Sequence, residues 1–195
     1  MSDEPIKVDL DLRTLLNPGT IIAAAETDDE IGCVLRLHLQ VEQLLVVYLS
    51  TKLKAPITEY VQEPQEFSRK LALAVAFGFP LPFAAVAKQV NRIRNELAHR
   101  DGKSLEGPQV KTLGQTVDKL SSMASNFEPM AKRKFELTKK APGEVVTFGT
   151  GNLRVDFALA VFAFLGVAVP HIIRQAAEEE MARRQSYAPR YAAPR

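Results

Sequence analysis

The stretch whose reading decides the fold is Val86-Ala87-Lys88-Gln89-Val90-Asn91-Arg92-Ile93-Arg94-Asn95-Glu96-Leu97-Ala98-His99. At 100° per residue, Val86, Val90, Ile93 and Leu97 fall within about 60° of one another, so they form the core-facing stripe of a helix. Asn95 and His99 stand one turn apart on roughly the opposite side. Lys88 joins them, and Arg94 sits on the flank of the stripe. The helix therefore ends with an Asn, a His and an Arg on a face that its core does not need. In a last turn the helix dipole favours the protonated form of His99. The same residues also fit a blander arrangement. Arg92, Glu96 and Arg100 at i, i+4 and i+8 make a solvated ion-pair row, with His99 as a C-terminal cap and Asn95 merely exposed.

Helical periodicity continues on both sides of this stretch. Upstream, Thr27 with Glu30 three residues later fits a capping box opening a helix over about 28–54. Ile31, Val34, Leu35, Val41, Leu44, Leu45, Tyr48 and Leu49 give that helix a wide apolar face. Ala55-Pro56 ends it, a second helix spans about 65–77, and Gly78 is its expected stop. Pro82 suits the first turn of the motif helix, and Asp101-Gly102 breaks it. Downstream, the pattern predicts a helix over about 109–126 and a basic helical segment over 128–140. A short strand-like run follows at Glu144 to Phe148. Asn152 then caps a long last helix over 153–184, kinked at Pro170. The expected fold class is all-α, a bundle of four to six helices with a long kinked C-terminal helix. The expected division is an acidic arm (1–26), the bundle (27–126), a helical extension packing on it (127–184) and a disordered basic tail (185–195).

Composition narrows the function. The 195 residues, 46% of them hydrophobic, are enough for a substantial core. One cysteine, Cys33, excludes an internal disulfide framework and cysteine-based zinc sites; among apolar neighbours it reads as a small core residue. The longest uncharged apolar run, Phe157 to Val169, is short of the ~20 residues that span a membrane. With no signal-like N-terminus either, a cytoplasmic protein without a membrane partner is expected. The formal net charge of +2 averages unlike parts: residues 1–30 carry eight acids against two bases. Bases concentrate at 131–140, which includes Lys132, Arg133 and Lys134, in the tail, and from Lys88 to Lys103. Lys88, Arg92, Arg100, Lys132, Arg133 and Lys134 are therefore candidate phosphate-binding residues, against the alternative of a solvated face.

The spacing Arg94-Asn95-x-x-Ala98-His99 resembles the Arg, four to six residues, His signature of the HEPN superfamily. Its surroundings are similar to the mannitol operon repressor family: a long helix with Val41-Glu42-Gln43-Leu44-Leu45, then Phe67-Ser68-Arg69-Lys70, then Leu71 to Gly78, then the Arg-Asn…His helix. The resemblance covers roughly residues 30–126. It implies a HEPN-like bundle that dimerises, bringing two motifs together, and two alternative activities. One is a regulator or scaffold acting through a protein partner, since no sequence-specific DNA reader is evident. The other is a metal-independent ribonuclease in which Arg94, Asn95 and His99 are catalytic and RNA is the partner. Neither needs a cofactor or a metal.

Weaker signals carry less. Glu96-Leu97-Ala98-His99 has di-iron spacing, but no second Glu-x-x-His exists. His38 and Glu42, one turn apart, fit a structural pair better than a metal site. His171 reads as local structure at the Pro170 kink.

Overall fold

The computed structural model describes residues 18–98, 104–138 and 142–187. Six α-helices and one two-stranded sheet stand among them. They are α1 (Pro18–Ala25), α2 (Glu30–Lys52), α3 (Phe67–Ala76), α4 (Leu81–Ala98), α5 (Gly107–Asp118), β1 (Lys134–Glu136), β2 (Val145–Thr147) and α6 (Leu153–Tyr187). The chain is thus predominantly helical, as its periodicity predicts.

The centre of the bundle is α6. Val155, Phe157 to Val161, Ala163 to Leu165 and Val167 to Val169 are all buried, so this helix is apolar on nearly every side and packs against α1, α2, α4 and α5. Its start is fixed by Asn152, whose Oδ1 accepts the Val155 N–H at 3.3 Å, the expected cap. The division expected at residue 127 therefore does not isolate an extension laid on a finished bundle. The last helix is the bundle's axis, and it runs through Pro170.

Three further expectations need correction. The acidic arm expected over 1–26 includes core structure. Ile21, Ala24 and Ala25 of α1 are buried, and buried Glu26 accepts hydrogen bonds from the Thr138 amide and hydroxyl. The acids of residues 1–30 flank the apolar run at 21–25, and an average charge hides it. The capping box also does not form. Helix α2 begins at Glu30, Thr27 Oγ1 accepts the Asp29 N–H, and the Glu30 carboxylate takes the Leu105 N–H at 2.9 Å instead. The basic helix expected over 128–140 is a single 3₁₀ turn, Met130–Lys132, followed by strand β1. Pro129 precedes it, and Phe135 and Leu137 alternate with exposed Lys134 and Glu136, the period of a strand. The strands pair antiparallel, with Phe135 opposite Val146.

Helix α3, beside the candidate site, ends on a sequence signal. Gly78 takes φ 91°. Its N–H bonds to the Val75 carbonyl, and the Phe79 N–H bonds to the Ala74 carbonyl at 2.9 Å, a complete Schellman close to α3. The Tyr48 hydroxyl donates to the Phe77 carbonyl at 2.8 Å, and burial pushes that phenol up to about 12, so it stays a donor. Phe79 and Phe83 carry the aromatic contact from Tyr48 on to Phe164 and His171. By length and composition α2 and α6 are apolar enough to cross a membrane, yet about half and 72% of their apolar windows are buried inside the fold.

Candidate functional site

Helix α4 buries Val86, Val90, Ile93 and Leu97, the stripe read from the sequence. Its remaining faces sort the polar residues. Lys88 and Arg92 are exposed. Arg92 Nε donates to Glu96 at 2.8 Å, so the first half of the ion-pair row exists and holds Arg92 on the surface. Glu96 also accepts from Gln109 on α5, which commits the carboxylate of the Glu-x-x-His spacing to α5. His99 and Arg100 lie outside the described residues, as does Lys103.

Arg94 and Asn95 are half-buried and line a cleft of about 370 Å³ with Asn91, His38 and Glu42 of α2, and the 65–68 turn into α3. Arg94 Nη1 donates to Asn95 Oδ1 at 2.9 Å. Its Nε is buried and has no hydrogen-bond partner. No carboxylate pairs with this guanidinium among the described residues, and a buried unsatisfied guanidinium nitrogen is costly to keep. Arg94 is thus held in place with hydrogen-bonding capacity unspent.

His38 forms the opposite wall. Its Nε2 lies 3.0 Å from Asn91 Oδ1. An amide oxygen only accepts, so Nε2 carries the proton and Nδ1 the lone pair in the neutral ring. The ring lies 4.6 Å from that of Phe67. Burial lowers the His38 pKa; the Asn91 bond and Glu42 act against this, and the nearby Arg94 charge adds to it. The lowered pKa favours the neutral ring. Glu42 makes no hydrogen bond to His38 among the described residues. It pairs with the buried Lys70 of α3, Nζ to Oε1 at 2.8 Å, and Glu63 stands 3.9 Å from the same Nζ. Among the described residues no three His, Cys, Asp or Glu side chains are grouped as metal ligands would be.

The sequence reading missed that His38, Glu42 and Asn91 stand with Arg94 and Asn95, and that Lys70 holds Glu42 there. One signal was present. Asn91, Arg94 and Asn95 lie at i, i+3 and i+4, one polar strip beside the apolar stripe, and a strip of that kind faces a neighbouring helix.

The basic segment divides. Lys132 and Lys134 are exposed around a shallow depression beside Glu128. Arg133 turns the other way. Its guanidinium lies 5.2 Å from the Phe127 ring centroid, its Nε donates to the Glu128 carbonyl at 3.0 Å, and burial lowers its pKa. The three consecutive bases do not make one patch. Cys33 is fully buried, with its thiol pushed up to about 12 by burial, which marks a packing residue.

Beside the cleft, α2 presents three large apolar side chains to solvent: Ile31 (44% exposed), Leu35 (36%) and Leu39 (58%). They stand at i, i+4 and i+8, one continuous stripe. On the helical wheel Glu42 falls within its arc, one turn beyond Leu39, and His38 falls about 20° outside its edge.

The chain matches no protein-family model, no curated protein and no solved structure.

Proposed function

We propose that this chain is a cytoplasmic regulatory or scaffolding protein resembling the mannitol operon repressor family, acting through protein contacts as a homodimer. The observation that carries this reading is the exposed stripe Ile31, Leu35 and Leu39. Single exposed apolar residues are ordinary, but a continuous stripe along a helix marks a contact surface. Its spacing is self-complementary. In an antiparallel pairing of two α2 helices Leu35 meets its own copy and Ile31 meets Leu39, as a two-fold interface requires. A second copy seated there borders the cleft of Arg94, Asn95 and His38. On this reading residues 30–126 correspond to a HEPN-like unit, and α6 bends at Pro170. Sedimentation velocity at micromolar concentration tests it. The wild type is expected to be dimeric, and Leu35→Glu monomeric with an unchanged far-ultraviolet circular dichroism spectrum. A monomeric wild type overturns it.

A second reading, a metal-independent ribonuclease, is favoured by the unspent Nε of Arg94 in a cleft shared with Asn95 and His38. In that reaction the ribose 2′-oxygen attacks phosphorus, its proton passes to a base, and the P–O5′ bond breaks. The 5′-oxygen takes a proton, and a cyclic phosphate is left. His99 would serve as the proton carrier, Arg94 as donor to the phosphoryl oxygens and Asn95 as the orienting amide. Exposed Lys88, Lys132 and Lys134 would hold the strand by its phosphates. Incubation with RNA in EDTA is expected to give cyclic phosphate ends with the wild type and none with His99→Ala or Arg94→Ala. An absence of cleavage across varied RNAs rules this reading out.

A further inference from the structure

A second concavity, of about 440 Å³, lies between α6 and the segment that follows α5. It shares no residue with the Arg94 cleft. Its floor is one face of α6, where Phe162, Gly166, Val167 and Pro170 follow at helical spacing, and its far wall is Met123 to Phe127. Phe162 is 41% exposed here, and Gly166 and Pro170 on the same face are exposed with it, while the residues between them are buried.

The charge in the groove is of one sign. Arg133, Arg174 and His171 line it, and among the described residues no acidic side chain does. Asp118 and Glu128 act on Arg133 electrostatically from outside the lining, with Asp118 engaged by the Met130 N–H at 2.8 Å. Each guanidinium has a partner beside the groove. The Arg133 guanidinium is fixed against Phe127 and by the Glu128 carbonyl. Arg174 Nη2 lies 3.2 Å from His171 Nδ1. A guanidinium only donates, so Nδ1 accepts and Nε2 carries the imidazole proton. The His171 ring is braced edge-on against Phe83, centroids 5.2 Å apart. Two guanidinium groups over an apolar floor, Arg133 half-buried and Arg174 exposed, suit a planar oxyanion carried on an apolar body.

We infer that the groove between α6 and residues 123–133 binds a small organic anion, its acidic group held by Arg133 and Arg174 and its apolar body lying along Phe162, Gly166 and Pro170.

Gly166 supplies a clean test. A Cβ placed there meets no atom within 4 Å, and leucine is a better helix former than glycine. Gly166→Leu therefore fills the groove without disturbing the helix. The probe is anilinonaphthalene sulfonate, an aromatic body with one anionic group, followed by fluorescence titration of the full chain. The wild type is expected to bind saturably with one probe per chain. Gly166→Leu and the pair Arg133→Gln with Arg174→Gln are each expected to weaken binding at least tenfold. Lys132→Gln with Lys134→Gln, exposed bases outside the groove, are expected to leave it unchanged. Octanoate is expected to displace the probe at concentrations where neither octanol nor inorganic phosphate does. Equal binding by Gly166→Leu, or equal weakening by the two lysine substitutions, overturns the site. Displacement by octanol as effective as by octanoate removes the anion from the inference, and equal displacement by phosphate removes the apolar body.

Discussion

Replacing Lys70 tests how the wall of the Arg94 cleft is held. Its side chain is only 10% exposed, and its ammonium lies 2.8 Å from Glu42 Oε1, a carboxylate 22% exposed. In Lys70→Met the methionine fits the buried stem, but the carboxylate loses its cation. Glu63, 3.9 Å from the ammonium, loses the same partner. Removing one member of a buried pair costs about 3–5 kcal/mol. Water reaches Glu42 more readily than Lys70, which brings the expectation to the lower end, about 3 kcal/mol. The double variant Lys70→Met/Glu42→Leu removes both desolvation terms and is expected within about 1 kcal/mol of the wild type. Urea unfolding of the wild type, Lys70→Met, Glu42→Leu and the double variant closes a double-mutant cycle, with equal slopes showing that the native state has kept its compactness. A loss below about 1 kcal/mol for Lys70→Met would show that the pair is solvated and the cleft wall loosely held. A double variant as unstable as the single would refute the stranded charge as the cause.

His38 and His171 both have lowered pKa values, in each case first through burial. A histidine whose folded pKa lies below the unfolded value of 6.5 contributes stability in full above that value and loses it as pH falls through the folded one. Urea midpoints are therefore expected to fall below about pH 6.5, and to fall less in His38→Gln; an identical pH dependence in that variant would show that His38 stays unprotonated or is already solvated. Gly78→Ala places a side chain at φ 91° and is expected to cost about 1–2 kcal/mol by the same measurement. No loss there would mean that the α3 terminus rearranges freely.

Much of the helical fold is legible wherever one residue type does one job. Gly78 ends α3 because the left-handed turn excludes a Cβ cheaply only there, and Asn152 opens α6 because its side chain reaches the third amide. The stripe Val86, Val90, Ile93 and Leu97 is readable because a single face is buried. Legibility fails where a window averages unlike neighbours. The apolar residues 21–25 vanish among flanking acids, and the two-residue alternation at 134–137 is overwritten by the count of lysines and arginines. In the candidate site, Arg94 and Asn95 are readable from spacing along one helix. Their association with His38 and with Glu42, which Lys70 holds, is not, because it depends on how α2, α3 and α4 are set side by side. That the buried pair joins Glu42 to Lys70 rather than to His38, its neighbour one turn away, is decided by that placement.

The position of α6 also has a consequence in time. During synthesis, helices α1 to α5 emerge first, and every surface they turn toward the bundle axis stays uncovered until Leu153 to Ile172 have left the ribosome. From Asp118 to Ile172, at ~5–20 residues per second, that interval is roughly 3–10 seconds. Throughout it the nascent chain shows its largest apolar area with its last partner not yet made. A chaperone that grips exposed apolar helices has its opening there, and a chain terminated before Ile172 would never close it.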